Sequence, residues 1–146
     1  SAQRRERLVL QIQQVAIAYS IGVASVAEID ELNILQATLV AMRRAVTGLA
    51  VPPDLCLVDG NKPISDLDFP QQTLVKGEDQ SISIAAASIL AKVWRDRVIT
   101  QLASIYPLYH LAKNKGYGTA EHLMAIDRYG ITPEHRQSFS PCKRSE

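Results

Sequence analysis

Asp59 closes the apolar run Leu55-Cys56-Leu57-Val58 and is followed by Gly60. Pro52-Pro53 stand before the run and Pro63 after it. An apolar run between turn residues reads as a strand buried on both faces. Asp59 then falls at the strand's carboxyl end, where open α/β sheets place their chemistry. A carboxylate there needs a partner: a metal ion, a charge, or the amides of the Gly60-Asn61 turn. Glu78-Asp79 form a second acidic site, after Gln72-Thr73-Leu74-Val75-Lys76-Gly77 and before a helix. Ser88 and Lys92, four apart, share a face of that helix. A third group of chemical residues is Ala112-Lys113-Asn114-Lys115-Gly116-Tyr117-Gly118-Thr119. Its glycines let backbone amides approach a ligand, its lysines suit phosphate, and Tyr117 can pack on a sugar or base. A tight turn with a partly buried ring fits the same residues. Asn61, Asp66 and Asp68 lack the spacing of a cation-binding loop and read as solvated.

These residues must be positioned by a mixture of helices and strands. Gln3 to Ala18 read as an amphipathic helix with a Leu8, Ile12, Val15 stripe and Val9 and Ala16 beside it. Tyr19, Ile21 and Val23 alternate as a half-buried strand. Ser25 and Glu28 have capping-box spacing. A helix from about Asn33 to Gly48 carries Leu35, Leu39, Met42, Val46 and Leu49 as core, with Arg43-Arg44 off the stripe. A strand over Gln72 to Gly77 leads to the longest helix, from Ser81 or Ser83 to about Ile105, before Tyr106-Pro107. Its stripe is Ala87, Ala91, Trp94, Val98, Leu102 and Ile105, and Asp96 between Arg95 and Arg97 reads as a local ion pair. Thr119 caps a last helix with Leu123 and Ile126 inward and Gly130 after its end.

The chain has 146 residues, enough for one domain, with 47% hydrophobic and 21% charged residues and a formal charge of +1. Total charge points to no partner, but Lys92, Arg95, Arg97, Lys113 and Lys115 face only Asp96 between residues 92 and 118, and Arg136, Lys143 and Arg144 follow. That basic half is either a solvated face or a phosphate-facing surface. Two cysteines, Cys56 and Cys142, form no disulfide framework, so a reducing cytoplasm is the default. No apolar run approaches a membrane span, so no membrane association is expected.

The order of the pieces says more than any one piece. Asn33-Ile34-Leu35-Gln36-Ala37-Thr38, Val58-Asp59-Gly60, Val75-Lys76-Gly77, Ala85 to Lys92, Arg95-Asp96-Arg97, Lys115-Gly116-Tyr117-Gly118-Thr119 and His135-Arg136-Gln137-Ser138-Phe139 follow one another as in a single family. The chain resembles bacterial ribonuclease HII nearly end to end. The resemblance implies an RNase H-like α/β fold, a mixed sheet flanked by helices, with a helical and loop part from about residue 107. It implies endonucleolytic cleavage of RNA–DNA hybrids and of ribonucleotide-containing duplex DNA, using four carboxylates and Mg²⁺ or Mn²⁺ and leaving a 3′-hydroxyl and a 5′-phosphate. Clustered hard oxygen ligands suit such ions, and two of them can serve the attacking and leaving oxygens.

Carried across residue by residue, Asp59 matches the third carboxylate and Glu78 the fourth, where the family usually has Asp; a one-residue shift would use Asp79. Tyr117 matches the tyrosine that packs on the ribose at the RNA–DNA junction and helps read its 2′-hydroxyl. Gly116, Lys115, Lys113, Lys76, Ser88 and Lys92 match substrate-facing or supporting groups, and Asn33 a phosphate contact. Asn114 stands where the family often has His. The family's adjacent first pair of carboxylates, in Asp-Glu-Ala-Gly-Arg-Gly, does not occur in these residues. The expectation is therefore an N-terminally incomplete ribonuclease HII, its first strands upstream of Ser1, with little or no activity by itself. The alternative is a non-catalytic module that binds RNA–DNA hybrids.

Overall fold

The computed structural model describes residues 1–143; Arg144, counted above with the basic tail, lies outside the described residues. Six helices and two strands follow in the order α1 (Ala2–Val15), α2 (Val26–Leu32), α3 (Ile34–Thr47), β1 (Cys56–Asp59), β2 (Gln71–Leu74), α4 (Ile82–Ile105), α5 (Leu111–Asn114) and α6 (Ala120–Tyr129). The architecture is α/β. Among the described residues the sheet is one parallel pair, β1 beside β2, with Cys56 opposite Gln71 and Asp59 opposite Leu74. Parallel pairing puts both strand ends at one edge, and Gly60 N–H extends the ladder to the Leu74 carbonyl at 3.0 Å.

Burial in β1 alternates: Cys56 and Val58 are buried, Leu57 is half-buried, and Leu55 before the strand is exposed. The continuous apolar run therefore does not make a strand covered on both faces. β2 stops at Leu74 rather than Gly77 because Lys76 turns into the left-handed region at φ +56°, and Gly77–Asp79 make a 3₁₀ turn.

Ser81 caps α4 by accepting from Ile84 N–H. The helix presents Ile84 and Val93 to the core, with Ile89, Leu90, Ile99 and Ala103 half-buried. The expected stripe is displaced: Val98 and Leu102 are half-buried, whereas Ala87, Ala91, Trp94 and Ile105 face out. Ile82-Ser83-Ile84-Ala85-Ala86-Ala87 is apolar on several faces, so spacing alone does not select one. In α1, Val9 is the buried residue and Val15 is open, again a rotation from the expected stripe. In α3, Leu39 is buried and Met42 and Val46 are half-buried, as expected, while Leu35 is exposed.

Tyr19 to Ala24 runs extended but pairs with no strand among the described residues. It crosses α3 instead. A Cβ on Gly22 would stand 1.9 Å from the Ala41 carbonyl oxygen, so only glycine permits this approach. Arg44 fastens the crossing, donating to the Val23 carbonyl at 2.7 Å and to both oxygens of Glu28, whose carboxylate also completes the Ser25 capping box. Asp96 does not pair locally: adjacent helical residues point apart, and its partner is Arg5 on α1 at 3.3 Å, while Arg97 binds Glu6. α1 is thus held along α4. The C-terminal part has its own apolar cluster of Tyr109, Leu111 and Ala125, with Ile99, Leu102, Tyr106 and Ile126 against it. In α6 the buried residues are His122 and Ala125, and Leu123 is exposed. No described helix is long and apolar enough to cross a membrane.

Candidate nucleic-acid interface

Asp59 ends β1 at the shared carboxyl edge of the parallel pair, and Glu78 lies in the turn just past the end of β2. Asp59 Oδ1 accepts from Gly77 N–H at 2.8 Å, which ties the end of β1 to the turn carrying Glu78. The Gly60-Asn61 turn is not its partner; the amide of the second acidic turn is. Gly77 is buried, and a Cβ there would lie 2.5 Å from Ile84 Cδ1 and 3.3 Å from Asp59 Oδ1. The glycine therefore lets the two turns meet. Glu78 Oε1 accepts from the Ser88 hydroxyl and, at 3.0 Å, from the Lys92 ammonium. The Ser88 hydroxyl first, and then Lys92, hold the Glu78 carboxyl below its ordinary range, so it is ionised at neutral pH. Lys76 precedes the turn in the left-handed conformation and is exposed. Asp79 follows Glu78 in the same turn, and its side chain makes no hydrogen bond or ion pair among the described residues.

Three residues after Lys92 comes Arg95, seven beyond Ser88 and one further turn along the same side of α4. Arg95 donates to the Lys115 carbonyl at 3.2 Å, and its guanidinium lies 5.1 Å from the centre of the Tyr117 ring. The seven residues from Ser88 to Arg95 advance roughly 10 Å along α4. In the sequence Arg95 stood out as a charge of a basic run, a neighbour of Asp96 and part of the Arg95-Asp96-Arg97 segment, but not as a partner of the Tyr117 loop.

The loop itself is strictly shaped. Lys115 and Gly116 both take positive φ, +54° and +77°. Asn114 is 5% exposed, and both ends of its amide are engaged: Nδ2 donates to the Tyr109 carbonyl at 2.7 Å and Oδ1 accepts from Gly116 N–H at 2.8 Å. Tyr117 is held by its main chain, donating N–H to the Asn114 carbonyl and accepting at its own carbonyl from Thr119 N–H and the His122 ring. Tyr117 is 64% exposed, so the partly buried turn tyrosine does not describe it. Lys113 is on this loop, but its ammonium is bound by Glu121 at 2.9 Å.

Asn33 belongs elsewhere. It ends α2 and caps α3, accepting from Gln36 N–H at 3.0 Å with φ +76°. With Asp30, Arg136, Ser138 and Phe139 it lines an open cavity of about 350 Å³. Asp30 accepts the Gln137 and Ser138 amides at 2.9 Å each, as well as the Ser138 hydroxyl, and these bonds lower its pKa. The His135-Arg136-Gln137-Ser138-Phe139 segment is thereby fastened to α2, a long-range tie that local patterning does not reveal.

As a seat for a hard divalent ion, the edge offers oxygen donors of the right kind in Asp59 and Glu78. Among the described residues no three His, Cys, Asp or Glu side chains gather as a metal centre. The chain's own contribution is a pair of carboxylates on adjoining turns.

The family model for ribonuclease HII matches residues 1–142. The chain is 57% identical over 145 residues to a ribonuclease HII of Trichormus variabilis, covering 99% of this chain and 64% of that protein. It is 58% identical to one of Acaryochloris marina, covering 73% of that protein, and 53% identical to one of Desulfitobacterium hafniense, covering 54%. It therefore spans about two thirds or less of the length of several relatives. Its fold is similar to the crystal structure of ribonuclease H2 from Pyrococcus horikoshii, with a TM-score of 0.78 at 21% identity over 98% of this chain and 75% of that one. From the family match over nearly its whole length and these identities, the chain belongs to the ribonuclease HII family.

Proposed function

We propose that this chain forms the fourth-carboxylate edge and the ribose-reading loop of a divalent-metal-dependent endoribonuclease acting on RNA–DNA hybrids and on ribonucleotides within duplex DNA. The observation that carries the reading is the single face of α4 on which Ser88 and Lys92 hold Glu78 while Arg95 holds the Tyr117 loop. That face gives a phosphodiester one end rich in oxygen ligands and another presenting an open aromatic ring. Asp59 and Glu78 are the residues that would hold Mg²⁺ or Mn²⁺, which supplies Lewis acidity to the scissile phosphate when bound. Lys92 and Ser88 orient Glu78 and keep it ionised. Gly77 N–H orients Asp59. Tyr117 packs on the ribose beside the cut, with Arg95 stacked on the ring and adding positive charge toward the backbone. Lys76 and Lys115 add charge on the same surface. A reducing, cytoplasmic setting belongs to the same proposal, supported by two buried and free cysteines.

Two carboxylates are half of the set that the family resemblance implies, so the 146-residue chain by itself should cleave weakly or not at all. In a protein joining this sequence to an Asp-Glu-Ala-Gly-Arg-Gly segment, duplex DNA carrying one ribonucleotide should be cut with Mn²⁺ or Mg²⁺. Asp59→Asn or Glu78→Gln should lower that rate by roughly 10²-fold or more. Unchanged cleavage in both variants would overturn the assignment of the edge. Asp79→Asn decides the register: it should have the smaller effect. A binding module without chemistry is the second reading, resting on the exposed Tyr117 ring with Arg95 over it and on the basic residues around them. It requires salt-dependent binding of hybrid duplex and no cutting by the joined protein.

A further inference from the structure

Five non-glycine residues take a left-handed backbone among the described residues: Asn33, Asp66, Lys76, His110 and Lys115. Asn, Asp and His enter that region more readily than other side chains. Lysine has no such advantage, and its Cβ crowds the following carbonyl. Lys76 at φ +56° and Lys115 at φ +54° are therefore positions where glycine would fit with less strain. The two are placed alike. Each precedes a glycine, Gly77 or Gly116, and each stands two residues before a side chain of the site, Glu78 or Tyr117.

The fold leaves neither backbone free to relax. Gly77 N–H is held by Asp59, and the Lys76 carbonyl accepts from Asp79 N–H at 3.1 Å. Lys115 N–H donates to the Leu111 carbonyl at 2.9 Å, and the Lys115 carbonyl accepts from Arg95. Gly116 N–H is held by Asn114. The main chain thus imposes the conformation, and nothing in it calls for lysine. The ammonium groups are not used within the fold either. Lys92 is bound by Glu78 and Lys113 by Glu121, while Arg95 lies on the Lys115 carbonyl and the Tyr117 ring. Lys76 and Lys115 make no ion pair among the described residues, not even Lys76 with Asp79 three residues on. Lys76 is exposed and Lys115 half-buried, so water or a ligand reaches both. A strained backbone that ends in an unused cation points to a partner outside the chain.

We infer that Lys76 and Lys115 are two phosphate anchors of the substrate surface, one at the carboxylate edge and one at the tyrosine loop, kept as lysine at the expense of stability. The inference rests on the nucleic-acid reading of this face and deepens it. Each ammonium takes a phosphate of the strand lying across Glu78 and Tyr117, rather than adding diffuse charge. A compact ammonium with three donors suits a phosphate oxygen as a point charge. Both turns are fixed by main-chain bonds before a ligand arrives, so only the lysine side chain remains to be ordered on binding. Glycine at either position would relax the turn and lose the contact.

Lys76→Gly and Lys115→Gly test both halves in one protein. Each should raise the melting temperature of the chain by roughly 1–4 °C, because relief of the left-handed strain exceeds the freedom glycine gives the unfolded state. Each should also weaken binding of an RNA–DNA hybrid duplex roughly three- to tenfold. The slope of log affinity against log salt should become shallower by about 1 in each. Lys76→Asn and Lys115→Asn tolerate the left-handed turn without glycine's freedom. They should lose the same binding with stability kept or raised. Lys76→Arg and Lys115→Arg keep the charge and should keep the slope. Glycine variants with wild-type affinity and slope would overturn the inference and leave the nucleic-acid reading of the face standing. A lower melting temperature in both the glycine and the asparagine variants would also overturn it, since the lysines would then serve the fold. Absence of salt-dependent hybrid binding by the unaltered chain would overturn the reading of the face, and the anchors with it.

Discussion

Asn114 and Tyr117 divide the work of their loop. Asn114 is buried with both ends of its amide engaged, so Asn114→Ala leaves the Tyr109 carbonyl and the Gly116 N–H unpaired. A loss of about 1–3 kcal/mol in stability is expected, read from the denaturant midpoint. A carboxamide here accepts and donates within one turn. Tyr117 is the reverse case. Its ring is exposed and its main chain does the holding, so Tyr117→Ala removes little beyond the Arg95 contact. Stability should change by about 1 kcal/mol or less while the preference for a ribonucleotide-containing duplex falls. A large drop in melting temperature with unchanged preference would argue against the ribose role. The order of the motifs in the chain pointed to Asp59, Glu78 and Tyr117. Arg95 and His122 as partners of Tyr117, and His135 as the partner of His122, were not legible, because side-chain contacts between elements leave no mark in local spacing.

At the scale of elements, the crossing of residues 19–24 over α3 depends on the absence of a side chain at Gly22. Gly22→Ala would drive a methyl group into the Ala41 carbonyl and the Ala45 amide, both backbone atoms that cannot swing aside. A destabilisation of about 2–3 kcal/mol is expected in chemical unfolding, at the upper end for overpacking. The same crossing is tied by Glu28, whose carboxyl is lowered to about 2, chiefly by the Arg44 guanidinium and then by Ser25 N–H. A carboxyl depressed by folding contributes stability above its unfolded value, and that contribution is lost as pH falls from about 4.5 toward about 2. Acid unfolding in that window should flatten in Glu28→Gln. Alternation at Tyr19, Ile21 and Val23 suggested a strand; the extended backbone is there, but a helix rather than a strand lies beneath it. The apolar run of β1 likewise suggested cover on both faces, whereas its burial alternates.

For the whole molecule, α4 is the member that relates everything else. Its first turn meets the Glu78 turn, its middle carries Ser88, Lys92 and Arg95, and its other side takes the Arg5–Asp96 and Glu6–Arg97 pairs from α1. Beyond it the tyrosine cluster of Tyr106, Tyr109 and Tyr129 supports the histidine pair and the loop above it. The C-terminal segment returns to α2 through Asp30, which holds it by charge-assisted hydrogen bonds.

The sequence by itself determined the local pieces: the Ser25 and Thr119 caps, a serine start for α4 at Ser81 or Ser83, the break at Tyr106-Pro107, the strand ending in Asp59, and the family. Caps, breakers and motif order are properties of neighbouring residues, so they survive without coordinates. Only the tertiary structure decided which face of α1, α4 and α6 is buried, that Asp96 answers Arg5 rather than its neighbours, and that Asp59 is met by the Gly77 amide. It also decided that His122 joins His135 to the Tyr117 carbonyl. Those outcomes follow from which surfaces meet across the fold, and on helices apolar in several directions the spacing of residues leaves that choice open.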